Sequence, residues 1–187
     1  MKTVLRGLDT VLQRVRCVDF LGPLALRLYL APVFWMAGTN KLGAMDNTIA
    51  WFEHSLGMPL PTLMAWLAAL TETVGSVLLV LGLALPLITI PLMVTMLVAI
   101  FAVHWENGWS AIAQSSNPEI AERLDMARSI LKEHGNYDWL TAEGSFVILN
   151  NGVEFAVTYL FMLLVLFFYG AGRFVSVDYY LGRWVRR

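Results

Sequence analysis

Charge is what this sequence has least of, and the shortage argues against a water-soluble fold. Only 14% of its 187 residues are Asp, Glu, Lys or Arg, while 58% are hydrophobic. A soluble globular chain carries about 25% charged and about 45–50% apolar residues, so the surplus apolar surface must face something other than water. The net charge of −1 leaves no basic footprint for nucleic acid. The single cysteine, Cys17, rules out an internal disulfide and a cysteine-held cluster. It follows Val15-Arg16 rather than a run of small residues, which is not how a lipoprotein cysteine is set. His54, His104 and His134 are too scattered to define a metal site, and no pair of histidines is placed for haem. There is no glycine-rich fingerprint for NAD or flavin. The length allows one domain, 1–187, with no room for a separate soluble one.

What the sequence does have is long apolar runs. A membrane-spanning helix needs about 20 mostly apolar residues. Four stretches qualify, at approximately 20–38, 62–83, 85–105 and 151–172. The expected fold is an all-α integral membrane protein, a bundle of four transmembrane helices. The first stretch is longer than a signal-peptide core, contains Arg27 and lacks a clear cleavage site, so it is read as retained. Pro86 stands early enough in the third helix to be tolerated, whereas Pro91 lies deeper and should kink it.

Orientation follows from the basic residues. Eight Lys and Arg flank the first and last spans on the terminal side, against four in the two opposite loops. This places both termini in the cytoplasm. Nine acidic residues lie in the outer segments and three in the inner ones, in agreement. Trp51, Trp105, Trp109 and Trp139 collect on the outer side, and Trp184 sits among inner arginines, as interfacial aromatic belts do.

Three segments outside the spans read as helices. Residues 3–16 carry apolar side chains at helical spacing with Arg6, Arg14 and Arg16 between them. That is either a surface amphipathic helix or the start of a longer first helix. Asp46 to Leu56 is amphipathic and is ended by Gly57, Pro59 and Pro61. In the outer insertion at 106–146, Asn117-Pro118-Glu119 is a helix start, and Gly135 can end that helix. Ile120, Leu124, Ala127 and Leu131 form its apolar stripe. An extra amphipathic helix is therefore expected between the third and fourth spans, as a lid over the bundle or as a membrane-surface helix.

The few ionisable groups inside the spans are the candidate site. A charge at bilayer depth costs several kcal/mol and normally faces the bundle interior with a partner. Glu72 lies roughly 15 Å deep by helix rise, on a face with Ala65, Ala68, Ala69, Gly75 and Ser76. Small residues let helices approach closely, so Glu72 should point inward, either neutral or paired. Arg27 could reach Glu72 as its ion-pair partner, or snorkel to the inner interface. Lys41, His104 and Glu154 lie near the outer boundary. Together these residues suggest an outward-facing polar pocket of Lys41, Glu72, His104 and Glu154, walled by Phe34, Trp35 and Trp105. Each member also has a plainer reading: Arg–Glu and Lys–Glu pairs can simply hold helices in register, and His104 can be an interfacial histidine.

The motifs now form a recognisable set. Arg27-Leu28-Tyr29-Leu30 is followed by Gly38-Thr39-Asn40-Lys41-Leu42, then Leu56-Gly57-Met58-Pro59, then a helix with Glu72, Gly75 and Gly82. The ending runs Tyr169-Gly170-Ala171-Gly172-Arg173-Phe174-Val175-Ser176-Val177-Asp178. In order and spacing this resembles the DoxX family of small four-helix membrane proteins. Two departures are Ala171 in place of a proline and one extra residue before Ser176. The insertion at 106–146 departs more, because the family usually joins its third and fourth helices by a short loop. His104-Trp105-Glu106-Asn107-Gly108-Trp109 is similar to a DoxX-like branch encoded beside enzymes that modify copper-binding peptides.

The resemblance implies a redox-linked role, since some relatives are the membrane subunit of a thiosulfate:quinone oxidoreductase, and others are linked to oxidative or metal stress. The pocket residues suit a quinone or quinol. Glu72 and His104 are the candidate catalytic groups, for proton exchange. Lys41, Glu154, Arg27 and Trp105 are the candidate ligand-binding groups. The competing reading is a non-enzymatic membrane scaffold that docks a protein on its outer side. A third is copper or small-solute handling by Met36, Met45, Met58 and Met64, although methionine is also a common filler of apolar helices. Whether the chain is an enzyme is left open at this point, as is homo-oligomer formation.

Overall fold

The computed structural model describes residues 16–186. The amphipathic segment expected at 3–16 lies outside them apart from its final residue. Among the described residues the fold is helical, without a strand; a lone antiparallel bridge joins Ile112 and Leu149. The chain forms two compact units. One runs up to Leu97 and resumes at Tyr159, and the other is Val98–Thr158.

In the first unit, helix α1 is Leu21–Gly43, α2 is Met45–His54 and α3 is Pro61–Leu81. Helix α1 runs five residues past the expected end at Gly38. That glycine does not terminate the helix; it lets α1 lie against α3. It is buried so close to the Ala69 carbonyl and Thr73 that a Cβ there would overlap Thr73. Pro61 opens α3 at its first position, where the missing N–H removes no helical bond. Gly82 closes it with φ +62°, the left-handed conformation that glycine adopts most easily.

Helix α4 is Leu85–Val98. It stays helical through Pro91, and the departure from α geometry comes later, as a π-helical stretch over Ala99–His104. Helix α7 is Glu154–Tyr169, shorter than the expected 151–172. Its start is held back by Asn151, at φ +58°, and by Gly152, which is pressed against the carbonyls of Gly108, Trp109 and Ser110. Its end is set by Gly170 at φ +74°.

The core of the first unit gathers Leu30 and Phe34 of α1, Leu79 of α3, Leu85 and Leu92 of α4, and Leu163 and Leu166 of α7. Gly75 lets Leu92 come against α3. Large apolar side chains also cover the outside, among them Leu28, Trp66, Leu70, Leu87, Phe161 and Phe168. Among the described residues, three helices are long and apolar enough to cross a membrane: Leu21–Gly43, Pro61–Leu81 and Leu85–Asn107. Only 22% to 33% of their most apolar windows is buried within the protein, so most of that apolar surface meets hydrocarbon. Helix α7, at 16 residues, is about 24 Å long, short of a hydrocarbon core of about 30 Å.

The second unit holds α5, Pro118–His134, and the single turn α6, Tyr137–Leu140. Asn117 caps α5 by accepting from the Glu119 N–H at 3.0 Å, with Pro118 at the first position. The Gly135 N–H closes the other end on the Leu131 carbonyl. Leu124 is buried, while Met126 and Ile130 are exposed. The Arg123–Glu119 and Arg128–Asp125 pairs on α5 are exposed, and such pairs contribute little.

Candidate functional site

The first unit brings Lys41 and Glu72 together. Lys41 stands in the last turn of α1, where a cation also offsets the helix dipole. Its Nζ donates to Glu72 Oε2 at 2.6 Å. Glu72 is near the middle of α3, on the buried face with Ala65, Ala69, Gly75 and Ser76. The side chain of Glu72 is 5% exposed and that of Lys41 24%, so the pair is reached from the lysine side. Among the described residues, the ammonium's other acceptor is its own Ala37 carbonyl, at the long distance of 3.5 Å. An ammonium has three protons to donate. Lys41 can therefore hold Glu72 and still donate to an incoming acceptor oxygen.

Glu72 is thus paired with Lys41, not with Arg27. Arg27 is fully buried, and its guanidinium is spent on backbone carbonyls. Nε donates to Leu79 O at 2.7 Å and Nη2 to Val80 O at 2.6 Å. Nη1 donates to Ala171 O at 2.7 Å and Val175 O at 3.2 Å. The first two acceptors belong to the last turn of α3, whose carbonyls lack helical partners. Arg27 therefore neither snorkels nor meets an intramembrane acid; it latches the end of α3 to the segment after α7. Gly82 makes room for it, since a Cβ there would lie 2.6 Å from the guanidinium carbon.

Asp178 completes this latch, and no role was assigned to it from sequence. Its carboxylate accepts from the Ala84 N–H at 2.8 Å and the Leu85 N–H at 3.1 Å, capping the start of α4. Its own N–H donates to the Gly82 carbonyl. Buried Ser176 donates to Gly172 O and caps the next helix through the Tyr179 N–H. The available signal was Asp178 itself, the one acid in a terminal stretch otherwise rich in arginine.

His104 and Glu154 belong to the second unit, where each has local partners. His104 Nδ1 lies 2.8 Å from the Asn151 carbonyl, which also accepts from Asn107 at 3.1 Å. Glu154 Oε2 accepts from the Ala111 N–H at 3.0 Å. Asn150 donates to the carbonyls of Asn107 and Ser110. These bonds tie residues 107–111 to 150–154. A recess of about 330 Å³ is lined there by Trp109, Gln114, Glu154 and Phe155 among others. Trp105 is exposed, its ring tilted against Phe101 at 5.2 Å. Of the expected aromatic walls, Phe34 is instead part of the core of the first unit, and Trp35 is half exposed.

This architecture is that of a multi-pass helical membrane protein with a partly buried lysine–glutamate pair. Residues 22–105 match the DoxX family model. That stretch, which includes Arg27, Lys41 and Glu72, is similar to the DoxX family. A relative from Bacillus subtilis (strain 168), named "Putative oxidoreductase CatD", is 35% identical over 83 residues. Those residues are 44% of this chain and 60% of that protein, so the match spans only part of either. No solved structure matches the chain.

Proposed function

We propose that this protein is a redox-linked inner-membrane protein that binds a quinone or quinol at the Lys41–Glu72 pair. The observation that carries the reading is the pair itself: a 2.6 Å ion pair on two membrane-spanning helices, reached through a partly exposed lysine. A membrane protein gains nothing in solubility from such a pair, and intramembrane ionisable groups mark ligand or proton paths by default. The oxidoreductase name of the Bacillus relative supports the same direction.

A bound quinone would supply the electron-transfer chemistry. The chain's own residues bind and manage protons. Lys41 donates a hydrogen bond to an acceptor oxygen. Glu72 Oε2, already hydrogen-bonded to the ammonium, holds the proton that leaves or enters at that oxygen. The apolar surroundings exclude water from the exchange.

In this reading α7 is the fourth span, with the few ångströms it lacks made up by local thinning of the bilayer. Both termini are cytoplasmic, as the excess of Lys and Arg on the terminal side favours, and α5 lies at the outer membrane surface. His104 and Glu154 serve the outer unit, as a proton-exchanging group and a ligand-binding group respectively. A second reading, a scaffold for a protein partner, is favoured by exposed Met126, Ile130 and Trp139 in that unit.

A short-chain quinone analogue titrated into the detergent-solubilised protein is expected to quench tryptophan fluorescence saturably. Glu72→Gln is expected to weaken that binding at least about tenfold, the loss of one charge-assisted hydrogen bond. Non-saturating quenching, equal in both proteins, would mean partitioning into the micelle and would favour the scaffold reading.

A further inference from the structure

We infer that the terminal helix α8, Val177–Val185, is an interfacial helix that recognises anionic phospholipid headgroups. This does not rest on the quinone reading. Val177, Tyr180, Leu181, Trp184 and Val185 fall at i, i+3, i+4, i+7 and i+8, one continuous apolar stripe. All of them are exposed, Trp184 and Val185 by about three-quarters.

The helix is not free to turn that stripe inward. Ser176 caps it, the Asp178 N–H is bonded to Gly82, and the Asp178 carboxylate is bonded to the N–H groups of Ala84 and Leu85. One turn earlier, Arg27 holds the Val175 carbonyl. These bonds fix α8 to the turn that joins two membrane-spanning helices, which is where the chain leaves the hydrocarbon. A helix held there with an exposed apolar stripe and a tryptophan is placed to lie in the interface.

Charge selects the headgroup. From residue 173 onward the chain has four arginines and one aspartate; Arg173 is paired with Asp19 at 2.7 Å, and the aspartate is committed to the Ala84 and Leu85 amides. Arg183 and Arg186 are exposed, and Arg183 is steadied by the Tyr179 hydroxyl at 3.2 Å. Basic residues beside a membrane surface favour anionic over zwitterionic lipid by about fivefold each. A protein partner or a second copy of the chain would also cover the stripe, but neither accounts for the arginines along it.

The test uses the full chain in phosphatidylcholine nanodiscs, with acyl-brominated phosphatidylglycerol or acyl-brominated phosphatidylcholine as quencher. The Trp184 signal is the difference between wild type and Trp184→Phe. Brominated phosphatidylglycerol is expected to quench it at lower mole fraction than brominated phosphatidylcholine. Arg183→Gln/Arg186→Gln should shift the phosphatidylglycerol curve toward the phosphatidylcholine one by about fivefold per arginine. Arg183→Lys/Arg186→Lys should retain the preference, which separates charge from any disturbance of folding. Two coincident quenching curves would overturn the inference. So would a Trp184 that neither lipid quenches, because the stripe would then be covered by protein or held in water.

Discussion

Arg27→Met is expected to destabilise the protein by about 3–5 kcal/mol, since each buried carbonyl that loses its donor costs about 1–3 kcal/mol. One guanidinium serves four carbonyls, on Leu79, Val80, Ala171 and Val175. Its removal takes a charged donor from carbonyls at the end of α3 and in the segment after α7. Arg27→Lys should recover only part of the loss, because an ammonium cannot reproduce the fork that spans two chain segments. Thermal unfolding in detergent, followed by circular dichroism, measures both. An unchanged midpoint in Arg27→Met would mean that the latch contributes nothing to holding α3 and the terminal segment together.

The second large effect is expected at the Lys41–Glu72 pair, where stability and binding should separate. Lys41→Met leaves the Glu72 carboxylate, 5% exposed, without its cation. The cost should be a few kcal/mol, toward the lower end because Lys41 is itself 24% exposed. The double change Lys41→Met/Glu72→Leu removes both charges, and buried pairs replaced by apolar residues of similar size are often neutral or more stable. The double variant should therefore regain the wild-type unfolding midpoint while binding a quinone analogue at least about tenfold more weakly. A double variant that is stable and still binds normally would reduce the pair to a staple between α1 and α3.

Much of this could be read from the sequence because membrane helices write themselves in long apolar runs. The inward aim of Glu72 followed from small residues on its own face, and α3 does bury Ala65, Ala69, Glu72, Gly75 and Ser76 together. The ends of α5 followed from Asn117-Pro118 and Gly135, whose effects are local. Long-range partners were harder to see. Arg27 was weighed as an ion-pair partner because a buried charge suggests an opposite charge. Its actual partners are carbonyls, which every residue has and no motif marks. The length of α7 also depends on distant segments, since Gly152 is held by the carbonyls of residues 108–110. The first span was bounded near Gly38 because the apolar run fades there, yet α1 continues to Gly43 and the missing side chain of Gly38 serves the α1–α3 approach.

A photoreactive quinone analogue would show whether a quinone meets the protein at Lys41 and Glu72. The protein would be labelled in a bilayer, digested and mapped with and without excess unlabelled quinone. Saturable labelling is expected within residues 21–43 and 61–81, blocked by the unlabelled quinone and lost in Glu72→Gln. Labelling that is spread over lipid-facing positions and indifferent to competitor would contradict it, and so would competable labelling confined to other segments.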